Sequence, residues 1–262
     1  MSISPSVAVN TVKKCSMPIS SGKTLYVGGD GPGNYTRIQD AIDDTNDNDT
    51  VFVFKGIYNE EVSISKSINL IGEDKETTII DGNKKYNAVN LLDSKTMITG
   101  FTIQNCSKSG FIAGISIINS DNNTITANII TNNALGIYLE YSNNNIITGN
   151  IISNNNGSSL FLGVSNGNTI TGNIISNNYY GIYLFWSYNN TILKNNIIFN
   201  KRNADFINPP SWLNQWDQNY WNRPRLLPKI IFGRTSWLGL LELIPWINID
   251  WHPARQPYDI GV

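Results

Sequence analysis

The sequence predicts an all-β, single-stranded parallel β-solenoid of about 22 residues per coil, with an N-terminal amphipathic cap helix and an irregular Trp-rich C-terminal tail. Three observations carry that reading. The first is a repeat: the pattern Asn, x, Ile, Thr or Leu, x, Asn begins at Asn123, Asn145, Asn168 and Asn190, at steps of 22, 23 and 22 residues, with a weaker copy at Thr96. The second is alternation, since apolar residues within each repeat stand at every second place, the period of a half-buried strand. The third is composition: 39 Asn and 38 Ile in 262 residues, a bias that stacked near-identical coils produce and an ordinary domain does not.

The elements follow in order. Residues 1–24 read as a leader or linker: Lys13 and Lys14 are followed by no continuous apolar run, so no intact secretory signal is visible. Residues 25–50 form the cap. Within it Ile38, Ala41 and Ile42 share one helical face, and Thr36 with Gln39 has the spacing of a capping box. The helix is expected to plug the open end of the coil, where strand edges would otherwise be bare. Residues 51–200 form the solenoid, less regular before Thr96, with surplus residues looped out around Cys106 to Phe111.

Equivalent residues of successive coils stack about 4.8 Å apart. The lumen columns are Ile98, Ile125, Ile147, Ile170, Ile192; then Ile115, Ile137, Leu160, Ile182; then Ile117, Leu139, Leu162, Leu184. Each side chain so buried contributes roughly 1.5–3 kcal/mol, so these columns outweigh any single polar contact. At the corners Asn tolerates left-handed backbone and its amide both donates and accepts. Asn128, Asn150, Asn173 and Asn195 are read as such a structural ladder, beside a hydroxyl column of Ser120, Ser142, Ser165 and Ser187.

Residues 201–262 are read as a cover segment holding six of the seven Trp, with a short helix around Ser236 to Leu243. Outward positions flanking the lumen columns stack as Ser116, Tyr138, Phe161 and Tyr183, with Tyr141, Phe185 and Trp186 nearby. A bare apolar stripe of this kind meets a partner. The two candidates are the chain's own Trp-rich tail and a sugar chain stacking on the rings.

Other chemistry is poorly provided for. The net charge is −1 and 15% of residues are charged, which argues against a nucleic-acid surface. No stretch approaches the roughly 20 apolar residues of a membrane span. From residue 110 to residue 193 the charged residues are Asp121 and Glu140, and no Arg stands between Arg37 and Arg202. A glycosidase needs two placed carboxylates. The oxygen-rich run Asp43 to Thr50 lacks the Gly and Glu of a calcium loop, and Gly28 to Gly33 reads as a turn. Six Asn-x-Ser/Thr triplets, starting at Asn34, Asn48, Asn105, Asn122, Asn156 and Asn189, suit an exported protein.

The run from Tyr35 to Gly82, followed by ITGFTIQNC from Ile98, resembles the opening of pectin-lyase-like right-handed β-helix proteins. It is similar both to pectin methylesterases and to the NosD-like carbohydrate-binding and sugar-hydrolysis group. The repeats at 96–200 resemble the latter more closely, and the tail (WDQNYW, LPKIIFG, PWINIDWHPARQPYDI) resembles those of archaeal cell-surface members. The resemblance implies a right-handed coil in an extracellular or cell-envelope setting. It does not fix an activity, because the architecture hosts lyases, hydrolases, esterases and non-catalytic proteins. The QDT and DFIFG segments of methylesterases and the Asp cluster of pectate lyases have no counterpart. NosD-type proteins are also linked to maturation of a copper site, yet His252 is the sole imidazole, so no metal ligand and no cofactor is assigned. The expectation is a non-catalytic surface protein that binds carbohydrate along the stripe. A polysaccharide lyase or hydrolase and a purely structural envelope protein are its rivals, and the oligomeric state stays open.

Overall fold

A computed structural model describes residues 22–208, 213–236 and 243–260. The chain winds about nine turns of roughly 23 residues each and builds three stacks of parallel strands. One stack runs from Thr24–Val27 through Thr50–Val53, Asn69–Gly72, Met97–Thr99 and their successors to Gln215–Asp217. A second runs from Gly56–Tyr58 to Tyr220–Trp221. The third runs from Val62–Ile64 through the six-residue strands Ala113–Ile118, Leu135–Glu140, Ser158–Gly163 and Tyr180–Phe185 to Arg202–Ile207.

Register follows the aliphatic columns. Ile98, Ile125, Ile147, Ile170 and Ile192 pair in succession and are fully buried. So are Ile117, Leu139, Leu162 and Leu184. Slipping one strand by a residue would turn its whole apolar set outward, so the columns themselves fix the register.

The helix is Ile38–Asp43, with Ile38, Ala41 and Ile42 buried as its spacing requires. Its cap differs from the expected Thr36–Gln39 box. Arg37 stands at the N-cap without a side-chain bond, and the Glu60 carboxylate accepts the N–H groups of Ile38 and Gln39 at 2.9 and 3.1 Å. A carboxylate one coil away satisfies two orphan donors at once and holds the helix onto the stack.

After residue 200 the chain is more regular than its Pro and Gly spacing suggests. Arg202–Ile207, Gln215–Asp217 and Tyr220–Trp221 continue all three stacks. Lys229–Ser236 and Leu243–Asp250 then form an antiparallel hairpin. The expected helix around Ser236 to Leu243 has strand at both its ends, and its interior lies outside the described residues. The lumen columns enlarge in the last coil, where Leu184 is followed by Phe206, Ile192 by Trp216 and Ile197 by Trp221. Three aromatic side chains thereby fill the end of the bore, and the hairpin lies over them, with Gly233 against the Phe206 ring.

Candidate functional site

Amide ladders fix the corners and so the spacing of everything on the surface. Asn128, Asn150, Asn173, Asn195 and Asn219 each direct the main-chain N–H to the side-chain oxygen of the next member at 3.0–3.1 Å, and the side-chain amide to the same oxygen at 3.0–3.2 Å. The last acceptor is Asp250. Two more ladders went unread in the sequence: Asn123, Asn145, Asn168, Asn190, Asn214 and Asn133, Asn155, Asn178, Asn200. The signal was present, because Asn recurs every fifth residue within each coil, as three strand residues plus a two-residue corner. Thr96, Phe101 and Cys106 open the three ladders by donating their main-chain N–H groups.

On the outer side of the third stack, Ser63, Asn90, Ser116, Tyr138, Phe161, Tyr183 and Asp205 form one column. The rings of Tyr138 and Phe161 lie 5.3 Å apart and those of Phe161 and Tyr183 5.2 Å apart, tilted against each other. Two places further on, Glu140, Gly163 and Phe185 form a parallel column. The two columns and the turn after them bound a groove of about 510 Å³ whose lining includes Phe111, Tyr138, Glu140, Tyr141, Phe161 and Phe185.

Tyr183 and Trp186 are not part of that lining. Tyr183 continues the ring column beyond it, and Trp186 packs on Phe185 at 6.4 Å.

Of the two expected partners, the tail does not run along this column in its described residues. Its Trp216 and Trp221 are buried in the bore, and its hairpin sits on the end of the coil. Trp212 and Trp237 lie outside the described residues. The ring that covers Tyr138 comes instead from the loop before Ala113: Phe111 stands 5.6 Å from Tyr138 and 5.7 Å from Phe161. Tyr138 is therefore nearly buried, and burial with a hydrogen bond to Glu140 raises its hydroxyl pKa well above the ordinary phenol value.

The groove's turn column is unusual. Asn119, Tyr141, Val164 and Trp186 all adopt left-handed backbone, with φ of 50°, 49°, 48° and 52°. Asn suits that conformation; Tyr, Val and Trp resist it, Val most. Tyr141 is nonetheless 54% exposed there, so packing offsets little of its strain.

Past the groove the stripe ends in charge. Arg202 donates to Asp205 at 3.0 Å and lies 5.8 Å above the Tyr180 ring, while Lys201 stands 4.4 Å over Tyr179. Cutting the solenoid at residue 200 hid this pair, because Asp205 is the next rung of the ring column.

Comparison with known proteins bears on most of the chain. The family described as periplasmic copper-binding protein (NosD) matches residues 13–236. The chain belongs to the NosD family. Among curated relatives, probable pectinesterase/pectinesterase inhibitor 6 of Arabidopsis thaliana is 36% identical over 106 residues, which is 37% of this chain and 18% of that protein. Number 44 of the same series is 36% identical over 76 residues, 26% of this chain and 14% of that protein. The NosD chain thus spans under a fifth of these relatives.

Among solved structures, a pectin methylesterase in complex with a hexasaccharide superposes with a TM-score of 0.53 at 12% identity, covering 87% of this chain and 86% of that one. PemA from Erwinia chrysanthemi gives 0.51 at 10%, covering 78% and 82%. At these identities the likeness is one of fold, the pectin-lyase-like parallel β-helix.

The copper named for the NosD family finds no fitting donor set among the described residues. Among the described residues no three His, Cys, Asp or Glu side chains gather where they could hold a metal. The His252 Nδ1 is 2.8 Å from Asp217, and the thiol of Cys106 is buried with its pKa pushed up to about 12, against the deprotonation that ligation needs. No helix among the described residues is long and apolar enough to cross a membrane.

Proposed function

We propose that this chain is a non-catalytic, cell-envelope carbohydrate-binding β-helix that holds a polysaccharide in the groove beside Tyr138 and Phe161. The observation that carries the reading is the turn column: exposed Tyr141 occupies a left-handed position that Asn119 fills one coil earlier. Strain of order 1–3 kcal/mol per residue persists where a site uses it. Rings repeating along the coil match the repeating faces of a sugar chain, and neighbouring amides such as Asn87 supply hydroxyl partners.

A lyase or hydrolase reading draws on Asp205 and Arg202. Asp205 accepts from Arg202 and from the Phe206 N–H. Glu140, also on this face, is three coils away, about 14 Å at the strand spacing. Glycosidase pairs stand about 5–9.5 Å apart. That distance favours binding without cleavage.

The test is calorimetric titration with a panel of soluble polysaccharides, polygalacturonan included, alongside assays for released reducing ends, unsaturated ends and methanol. Tyr141→Ala and Phe185→Ala are expected to weaken binding at least tenfold with the fold intact. Product release by the wild-type chain, or no binding anywhere on the panel, would overturn the proposal.

A further inference from the structure

The terminal hairpin turns the wrong face to water. Its inner face carries Ile231, Thr235, Asn248 and Asp250, all buried over the last coil. Its outer face pairs Ile230 with Ile249 and Phe232 with Ile247 across the strands, and directly opposed residues share a face. Phe232 is 69% exposed, Ile247 46% and Ile230 43%, and Leu226 and Leu227 just before them are 81% and 76% exposed. A cap that meets only water would carry polar residues there.

The same end is basic. Arg223 and Arg225 lie close enough to Lys229 that they, after burial, lower its pKa, and Arg234 stands beside Phe232 on the outer face. Three acids among the described residues at this end are engaged: Asp205 holds Arg202, Asp217 holds His252, and Asp250 ends the ladder. A second copy docked on this face would bring like cations together, and an uncharged partner would leave them uncompensated. An anionic bilayer surface answers both features, with acyl chains for the aliphatic and aromatic side chains and headgroups for the cations.

We propose that the outer face of this hairpin docks on anionic lipid, seating the solenoid end-on and leaving the groove free along its side.

Sedimentation of the full chain with vesicles of phosphatidylcholine alone, or with added phosphatidylglycerol, tests this. Binding is expected to be at least tenfold tighter with phosphatidylglycerol and to weaken as salt rises. Phe232→Ser with Ile247→Ser should weaken it at least tenfold, while Arg223→Gln with Arg225→Gln should cost roughly fivefold per residue; thermal melts check the fold of each variant. Should a variant not fold, the salt and lipid dependence of the wild type decides. Equal binding to both vesicles, no binding to either, inorganic phosphate bound as tightly as the vesicles, or a lipid-free dimer abolished by Phe232→Ser would each overturn the proposal.

Discussion

Asn219 directs both its main-chain and its side-chain N–H to the same oxygen of Asp250, at 3.0 and 3.1 Å, and Trp221 Nε1 donates to that oxygen at 2.9 Å. Every earlier rung is Asn because it must accept from one neighbour and donate to the next. The last rung has no next neighbour, and a carboxylate accepts without stranding a donor.

Asp250→Ala leaves three buried donors without an acceptor and is expected to cost about 3–5 kcal/mol. Asp250→Asn keeps one acceptor and should cost about 1 kcal/mol. Urea unfolding of the two variants checks this; equal losses would show that the oxygen does not end the ladder.

How much of this was legible in sequence differs by element. The columns through Ile125 and Leu139 could be read because hydrocarbon burial depends on period alone. The Asn128 ladder could be read for the same reason, but Asp250 could not: it stands 31 residues after Asn219, beyond a change from coil to hairpin that breaks the count. Phe111 belongs to an insertion of irregular length, so no periodicity places its ring on Tyr138. The Glu60 cap on Ile38 is a contact between coils, whereas Thr36 and Gln39 advertise a local box that the backbone does not use.

Gly136 faces the carbonyl of Ser159 one coil on, and a Cβ there would stand 2.4 Å from that oxygen. Gly136→Ala must push two coils apart, because main chain on both sides cannot yield. A loss of about 1–3 kcal/mol is expected, read as a lower urea midpoint with the slope unchanged.

Val164 carries a β-branched side chain at φ 48°. Val164→Asn should raise stability by about 1 kcal/mol, or roughly 2–4 °C in Tm for a chain of this size. Tyr141→Asn should stabilise in the same direction while weakening glycan binding. Calorimetric scans and titrations on the same samples separate the two effects.

Burial pushes the Cys106 thiol from 9.0 up to about 12. The folded chain therefore holds this proton more tightly than the unfolded one. The stabilisation is complete below about pH 9 and is lost as pH rises toward 12, with a slope approaching 1.4 kcal/mol per pH unit from this group. Tyr58, Tyr138 and Tyr183, all raised chiefly by burial, act in the same sense. Urea melts at rising alkaline pH should show the decline, and Cys106→Ala should flatten it. In the native chain Cys106 should resist thiol reagents near neutral pH and react once unfolded.

The one-way direction of the amide ladders constrains how such a chain can lengthen over evolutionary time. Duplicating a 22-residue unit between Asn123 and Asn200 gives every new rung a giver on one side and a receiver on the other. A unit appended after Asp250 would meet an oxygen with nothing to hand on. Growth is thereby confined to the middle of the rod, and relatives of different length should share both extremities while differing in how many turns separate them.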